Sequence, residues 1–123
     1  MNLQPQYSVI DMTTIRTLRA VLDDGLDELF HDLLAEVPRR IDALLLAART
    51  RDSVRLAELA HDLKGMAANL GATAIAENAR LLEMMSRNSD PGAILAHIAA
   101  IETTYLQTRN EIKGILRNRP DAA

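Results

Sequence analysis

Apolar residues recur at intervals of three and four along most of the chain, the spacing that places them on one face of an α-helix. The most regular stretch is Leu26, Leu29, Phe30, Leu33, Leu34, Val37, Ile41, Leu44, Leu45 and Ala48, about seven turns at ~3.6 residues each. Pro38 falls inside it. Proline lacks a backbone donor and crowds the preceding turn, so a stripe that continues on both sides predicts one helix kinked near Leu34 rather than two. Ahead of it, Ile15, Leu18, Val21 and Leu22 predict a short first helix capped by Asp11 or Thr13. Asp23-Asp24-Gly25 reads as the break between the two, with Gly25 tolerating the left-handed backbone of a stop.

Downstream, Thr50-Arg51-Asp52-Ser53 is a polar interruption with Asp52 the better N-cap. A third helix is predicted through His61 to about Leu70, ended by Gly71. A fourth runs from about Thr73 to Arg87 with Ile75, Ala79, Leu82 and Met85 inward. Asp90-Pro91 matches an N-cap followed by a first helical residue, and opens a fifth helix carrying Ile94, Ile98, Ile101, Tyr105, Thr108, Ile112 and Leu116. There is no alternating strand pattern, internal repeat or low-complexity segment. Short connections between amphipathic helices favour antiparallel neighbours. The expected fold class is all-α: an up-down antiparallel four-helix bundle with a short additional N-terminal helix. It would span residues 10–117, between a flexible lead-in at 1–9 and a flexible tail at 118–123.

Composition narrows the function. The 123 residues are 48% hydrophobic and 25% charged, the balance of one soluble domain, yet only 2% aromatic. Such a core is aliphatic, which suits helices better than sheets. A net charge of −3 without a cluster of Lys and Arg argues against nucleic-acid binding. The absence of cysteine removes disulfides, thiolate catalysis and Cys-based zinc sites. No apolar run approaches the ~20 residues of a membrane span, and Met1 to Ser8 has no signal-peptide core. The expected location is the cytoplasm.

The unusual stretch lies between residues 60 and 72. At ~100° per residue, Leu56, Leu59, Ala60, Leu63, Met66, Ala67 and Leu70 gather within about 60° of one direction, and His61 points roughly 160° from its centre. Beside His61 on that outer side stand Ala57, Lys64, Gly65 and Ala68. An imidazole is thus set on an open face, flanked by small residues and one cation. Gly65 inside a helix costs about 1 kcal/mol against Ala, and it faces away from the apolar stripe, which weakens close helix packing as its reason. If the third and fourth helices are antiparallel about a turn near residue 72, reflection of position 61 falls on Glu83. A carboxylate there could fix the ring's tautomer and free the other nitrogen as a nucleophile; otherwise it is an ordinary solvated glutamate. Arg87, a turn further on, is either a second cation or a helix C-terminal charge complementing the dipole.

Other chemistry is missing. His31 and His97 flank core residues and belong to no H-E-x-x-H arrangement, so no metal is expected. There is no Gly-rich phosphate cradle, no Walker lysine and no supported Ser-His-Asp set. One nucleophile, one cation and an open face describe a carrier whose partners bring the catalysis.

Ala60-His61-x-Leu63-Lys64-Gly65, followed by Ala68-Asn69-Leu70-Gly71-Ala72 and then Leu82-Glu83, resembles the histidine-containing phosphotransfer (HPt) domain family. The likeness runs from about Ile10 to Ile115 and includes the Phe30 position; Met66 departs from the family's usual small residue. The resemblance implies a phosphorelay intermediate, not an enzyme. His61 would accept a phosphoryl group from a receiver-domain aspartyl phosphate and pass it to another response regulator. Lys64 would stabilise the phosphoryl charge, Gly65 would give steric room, and Glu83 would orient the histidine. Ala57, Glu58, Gly65, Ala68 and Arg87 would contact the partner. Partners would be receiver domains and a hybrid sensor histidine kinase. Mg²⁺ would sit in the receiver, and this chain, expected to be a monomer, would carry no cofactor. Competing readings are a helical adaptor or inhibitor that binds a kinase or receiver without carrying phosphate, the phosphoacceptor domain of a chemotaxis-type kinase, and a purely structural bundle.

Overall fold

The computed structural model describes residues 9–118. Five helices lie among them: α1 (Met12–Leu22), α2 (Asp24–Arg49), α3 (Ser53–Asn69), α4 (Thr73–Met85) and α5 (Pro91–Arg117). Helices α2 to α5 each pack on the next, and α5 closes back on α2, which makes the expected up-down bundle; α1 lies against α2. The fully buried centre is aliphatic around one ring, with Leu26, Phe30, Leu44, Leu56, Leu63, Ile75, Leu82, Ile98, Ile101 and Ile112.

The caps explain where helices begin. The carboxylates of Asp11, Asp52 and Asp90 accept from the backbone N–H of Thr13, Arg55 and Ala93, at 3.0, 3.0 and 2.9 Å, satisfying donors that have no partner in the first turn. Asp11, rather than Thr13, caps α1. The α2–α3 and α3–α4 turns are both Schellman motifs. In the second, Ala72 N–H donates to the Ala67 carbonyl at 2.9 Å and Gly71 N–H to Ala68 at 3.1 Å. Gly71 has φ +75°, and a Cβ there would meet Ile15, Asp11 and Thr14 at 3.2 to 3.3 Å. Glycine is required twice over, by the backbone angle and by the approach of α1.

Helix α2 runs unbroken through Pro38. The missing proline N–H would have bonded the carbonyl of Leu34, four residues back. The phenol of Tyr105 on α5 donates to that carbonyl instead, at 2.7 Å. The interruption created in one helix is closed by a side chain from another.

Four expectations are corrected. Val9, assigned to the lead-in, is buried, and its carbonyl accepts from Ala74 N–H at 3.3 Å; the segment before α1 is drawn across the α3–α4 turn. The rest of the lead-in, residues 1–8, and residues 119–123 of the tail lie outside the described residues. The α1–α2 break is Asp23 alone, at φ 47°, while Gly25 sits in the first turn of α2. A sharp one-residue bend lets Arg19 reach Asp27 at 2.8 Å. Val21, Leu22 and Leu29 are exposed rather than in the core; for Val21 and Leu22 the reason is that α1 has a helix on one side only, whereas Leu29 lies on α2 at the rim of a surface groove with Met66 and Leu70. Finally, α4 stops at Met85, two residues before Arg87.

Candidate functional site

The tight turn at Gly71 reverses the chain so that α3 and α4 pack along each other more extensively than any other pair. That antiparallel register carries Glu83 to His61, 22 positions earlier. His61 Nδ1 lies 3.2 and 3.3 Å from the two carboxylate oxygens of Glu83, and Lys64 Nζ donates to Glu83 Oε1 at 3.3 Å. The histidine ring is 61% exposed, whereas Glu83 and Lys64 are half-buried beneath it.

Partial burial on its own pushes the Glu83 carboxyl up. The hydrogen bonds from Lys64 and His61, with the positive charge of the Lys64 ammonium, outweigh it and hold the group below the usual carboxylate value. Glu83 is therefore ionised at neutral pH and can only accept hydrogen bonds. Its neighbour Nδ1 must then carry the proton, which leaves Nε2 of the neutral ring with a free lone pair. The same side chain that positions the ring also sets its tautomer.

Gly65 lies one turn beyond His61, and a Cβ at that position would meet nothing within 4 Å. Close helix packing is therefore not what glycine serves there. Ala68, another turn on, is exposed. His61 opens into a shallow hollow of about 380 Å³ lined by Val54, Ala57, Glu58, His61, Asp62, Glu83 and Arg87. Of the residues expected from sequence to meet a partner, Ala57, Glu58 and Arg87 line this hollow; Gly65 and Ala68 continue the same helix face outside it. Arg87 has neither ion pair nor hydrogen bond among the described residues.

Two lining residues were not anticipated. Val54 is 57% exposed, an apolar side chain on the outer face of α3; its position seven residues before His61, two turns along one face, was a readable signal. Asp62 faces Arg40 of α2 at 4.0 Å, an interhelical contact that no local pattern reveals. His31 is exposed on α2, and His97 Nε2 lies 2.8 Å from the carbonyl of Asn78; neither lines the hollow. Among the described residues, no group of three or more His, Cys, Asp or Glu could hold a metal ion, and no helix is long and apolar enough to cross a membrane.

The family model for the Hpt domain matches residues 28–114, a span that contains α3, α4 and the whole hollow. Comparison with curated proteins gave no significant match. Among solved structures, the chain is similar to histidine-containing phosphotransfer protein B (HptB) from Pseudomonas aeruginosa PAO1, with a TM-score of 0.84 and 24% identity over 92% of this chain and 99% of that one. It is also similar to a histidine-containing phosphotransfer protein, described as putative, from rice, with a TM-score of 0.79 and 17% identity over 91% of this chain and 84% of that one. At those identities the two structures share the fold.

Proposed function

The chain belongs to the Hpt domain family and is a histidine phosphotransfer protein of phosphorelay signalling; on that footing we propose that His61 carries the phosphoryl group on Nε2. The group would come from the aspartyl phosphate of one response-regulator receiver and pass to another, with a hybrid sensor histidine kinase upstream. The observation that supports this is the contact between His61 Nδ1 and ionised Glu83 under an exposed ring.

The chemistry follows from that contact. Nε2 donates its lone pair to phosphorus, and the bond between phosphorus and the aspartyl oxygen breaks, returning a carboxylate to the receiver. The ring keeps its proton on Nδ1 and becomes cationic, and the adjacent Glu83 carboxylate stabilises that charge. The same cationic ring is a good leaving group in the reverse step. Lys64, close to the ring and held in the network by Glu83, is placed to pair with phosphoryl oxygens. Open space at Gly65 and the small side chains of Ala57 and Ala68 admit a broad partner surface, while Glu58 and Arg87 offer it charge. The receiver supplies Mg²⁺ and the acidic pocket, so this chain acts as carrier and its partner as catalyst. The work takes place in the cytoplasm and needs only a monomer.

The test uses a panel of isolated receiver domains charged with radiolabelled acetyl phosphate. Wild-type protein is expected to take up acid-labile, alkali-stable label, and His61→Gln none. Equal labelling of the variant would overturn the assignment, and binding of receivers without label would favour an adaptor.

A further inference from the structure

Three carboxylates, Glu58, Asp62 and Glu83, line the hollow that His61 opens into. An acyl phosphate arriving there, and the phosphohistidine that results, each carry nearly two negative charges. Bare carboxylates at this place would repel both. Each has a cation. Glu83 has Lys64 at 3.3 Å, Glu58 has Arg55 at 3.8 Å, and Asp62 has Arg40 at 4.0 Å.

Arg40 differs from the other two cations in where it comes from. Lys64 and Arg55 belong to α3, the helix that bears His61, whereas Arg40 reaches across from α2. Successive side chains on α3 thus turn to opposite neighbours, His61 to α4 and Asp62 to α2. Arg40 does not roam: its Nε donates to Glu36 Oε2, one turn earlier, at 3.1 Å, and the side chain is only 31% exposed. Glu36 aims the guanidinium at the edge of the hollow.

Resting on the phosphotransfer reading above, we infer that Arg40 speeds the encounter of His61 with the phosphorylated partner. It acts by cancelling the charge of Asp62, so that the approach to His61 is not blocked by a carboxylate beside the phosphoacceptor. Its contribution is electrostatic and long-range rather than a contact with the phosphoryl group. A unit charge left bare about 8 Å from a dianion in water changes an encounter by about fivefold, and at ~1 M salt, where the screening length is about 3 Å, the effect disappears.

The experiment measures the second-order rate of phosphoryl transfer from the acetyl-phosphate-charged receiver that labels wild-type protein, at low and at ~1 M salt. Arg40→Met, which keeps the aliphatic stem, is expected to lower the low-salt rate about fivefold and to leave the high-salt rate near wild type. Adding Asp62→Asn to Arg40→Met should restore the low-salt rate. An Arg40→Met rate equal to wild type at low salt would overturn the inference. So would a loss that persists at high salt or in the double variant, since either would mean that Arg40 acts through packing. If no receiver labels wild-type protein, the phosphotransfer reading itself falls, and this inference with it. Thermal melts of the variants separate any loss of fold from loss of rate.

Discussion

Glu83 holds His61 by Nδ1 at 3.2 Å while its other oxygen takes Lys64 at 3.3 Å. One half-buried carboxylate therefore fixes both the tautomer of the nucleophile and the resting place of the nearby cation. A charge-assisted hydrogen bond of this kind is worth about 1.5–3 kcal/mol. Glu83→Ala is expected to slow phosphoryl acceptance by roughly tenfold to a hundredfold, in single-turnover transfer. Glu83→Gln, which keeps an acceptor, should lose less. Nitrogen NMR of the imidazole should report the Nδ1–H tautomer in wild type and a mixture in Glu83→Ala.

The depressed carboxyl of Glu83 fixes a direction with pH. A carboxyl group whose folded value lies below its unfolded one stabilises the fold above the unfolded value, about 4.3. That contribution is lost as pH falls through the lower, folded value. The His61–Glu83–Lys64 network should thus persist below the pH at which an ordinary glutamate protonates. Carbon NMR of the Glu83 carboxyl should show a midpoint lower than that of an exposed glutamate. In urea melts, Glu83→Gln should lose stability relative to wild type at neutral pH and converge with it in acid.

Tyr105 and Pro38 form a linked pair through the carbonyl of Leu34. Tyr105→Phe leaves that carbonyl with no donor from either helix, an expected cost of about 1–2 kcal/mol in urea unfolding. Pro38→Ala returns a backbone N–H four residues along. In that background Tyr105→Phe should cost clearly less, and equal costs in both backgrounds would contradict the pairing.

The two glycines near the site should respond in opposite ways. Gly71→Ala forces a side chain into left-handed backbone and against α1, and is expected to destabilise by about 1–3 kcal/mol. Gly65→Ala fills open space in a helix interior, and should stabilise by up to about 1 kcal/mol while slowing transfer from a receiver. A Gly65→Ala protein that transfers at the wild-type rate would remove the steric role given to this glycine.

Much of this was legible along the chain, for identifiable reasons. Helical spacing marked all five helices, because an amphipathic stripe is a local pattern. Glu83 was reachable by reflection because one short turn, ended by a glycine, sets the α3–α4 register. What stayed hidden depends on distant partners. Tyr105 meets Leu34 across 71 positions, and Arg40 meets Asp62 across two helices. Val21 and Leu22 have the spacing of core residues but no second helix to cover them. Asp23 adopts a backbone angle that glycine next door would accept more easily, and there the default rule pointed to the wrong residue. Burial of Val9 needed the α3–α4 turn to be seen first.

The most direct measurement of the central claim is a nitrogen–phosphorus correlated NMR spectrum of the phosphorylated protein, carrying nitrogen-15 in its three histidines. A single phosphoryl group bonded to Nε2 of His61, with Nδ1 still protonated, is the expected result. A phosphoryl group on Nδ1 of His61, or on His31 or His97, would contradict it.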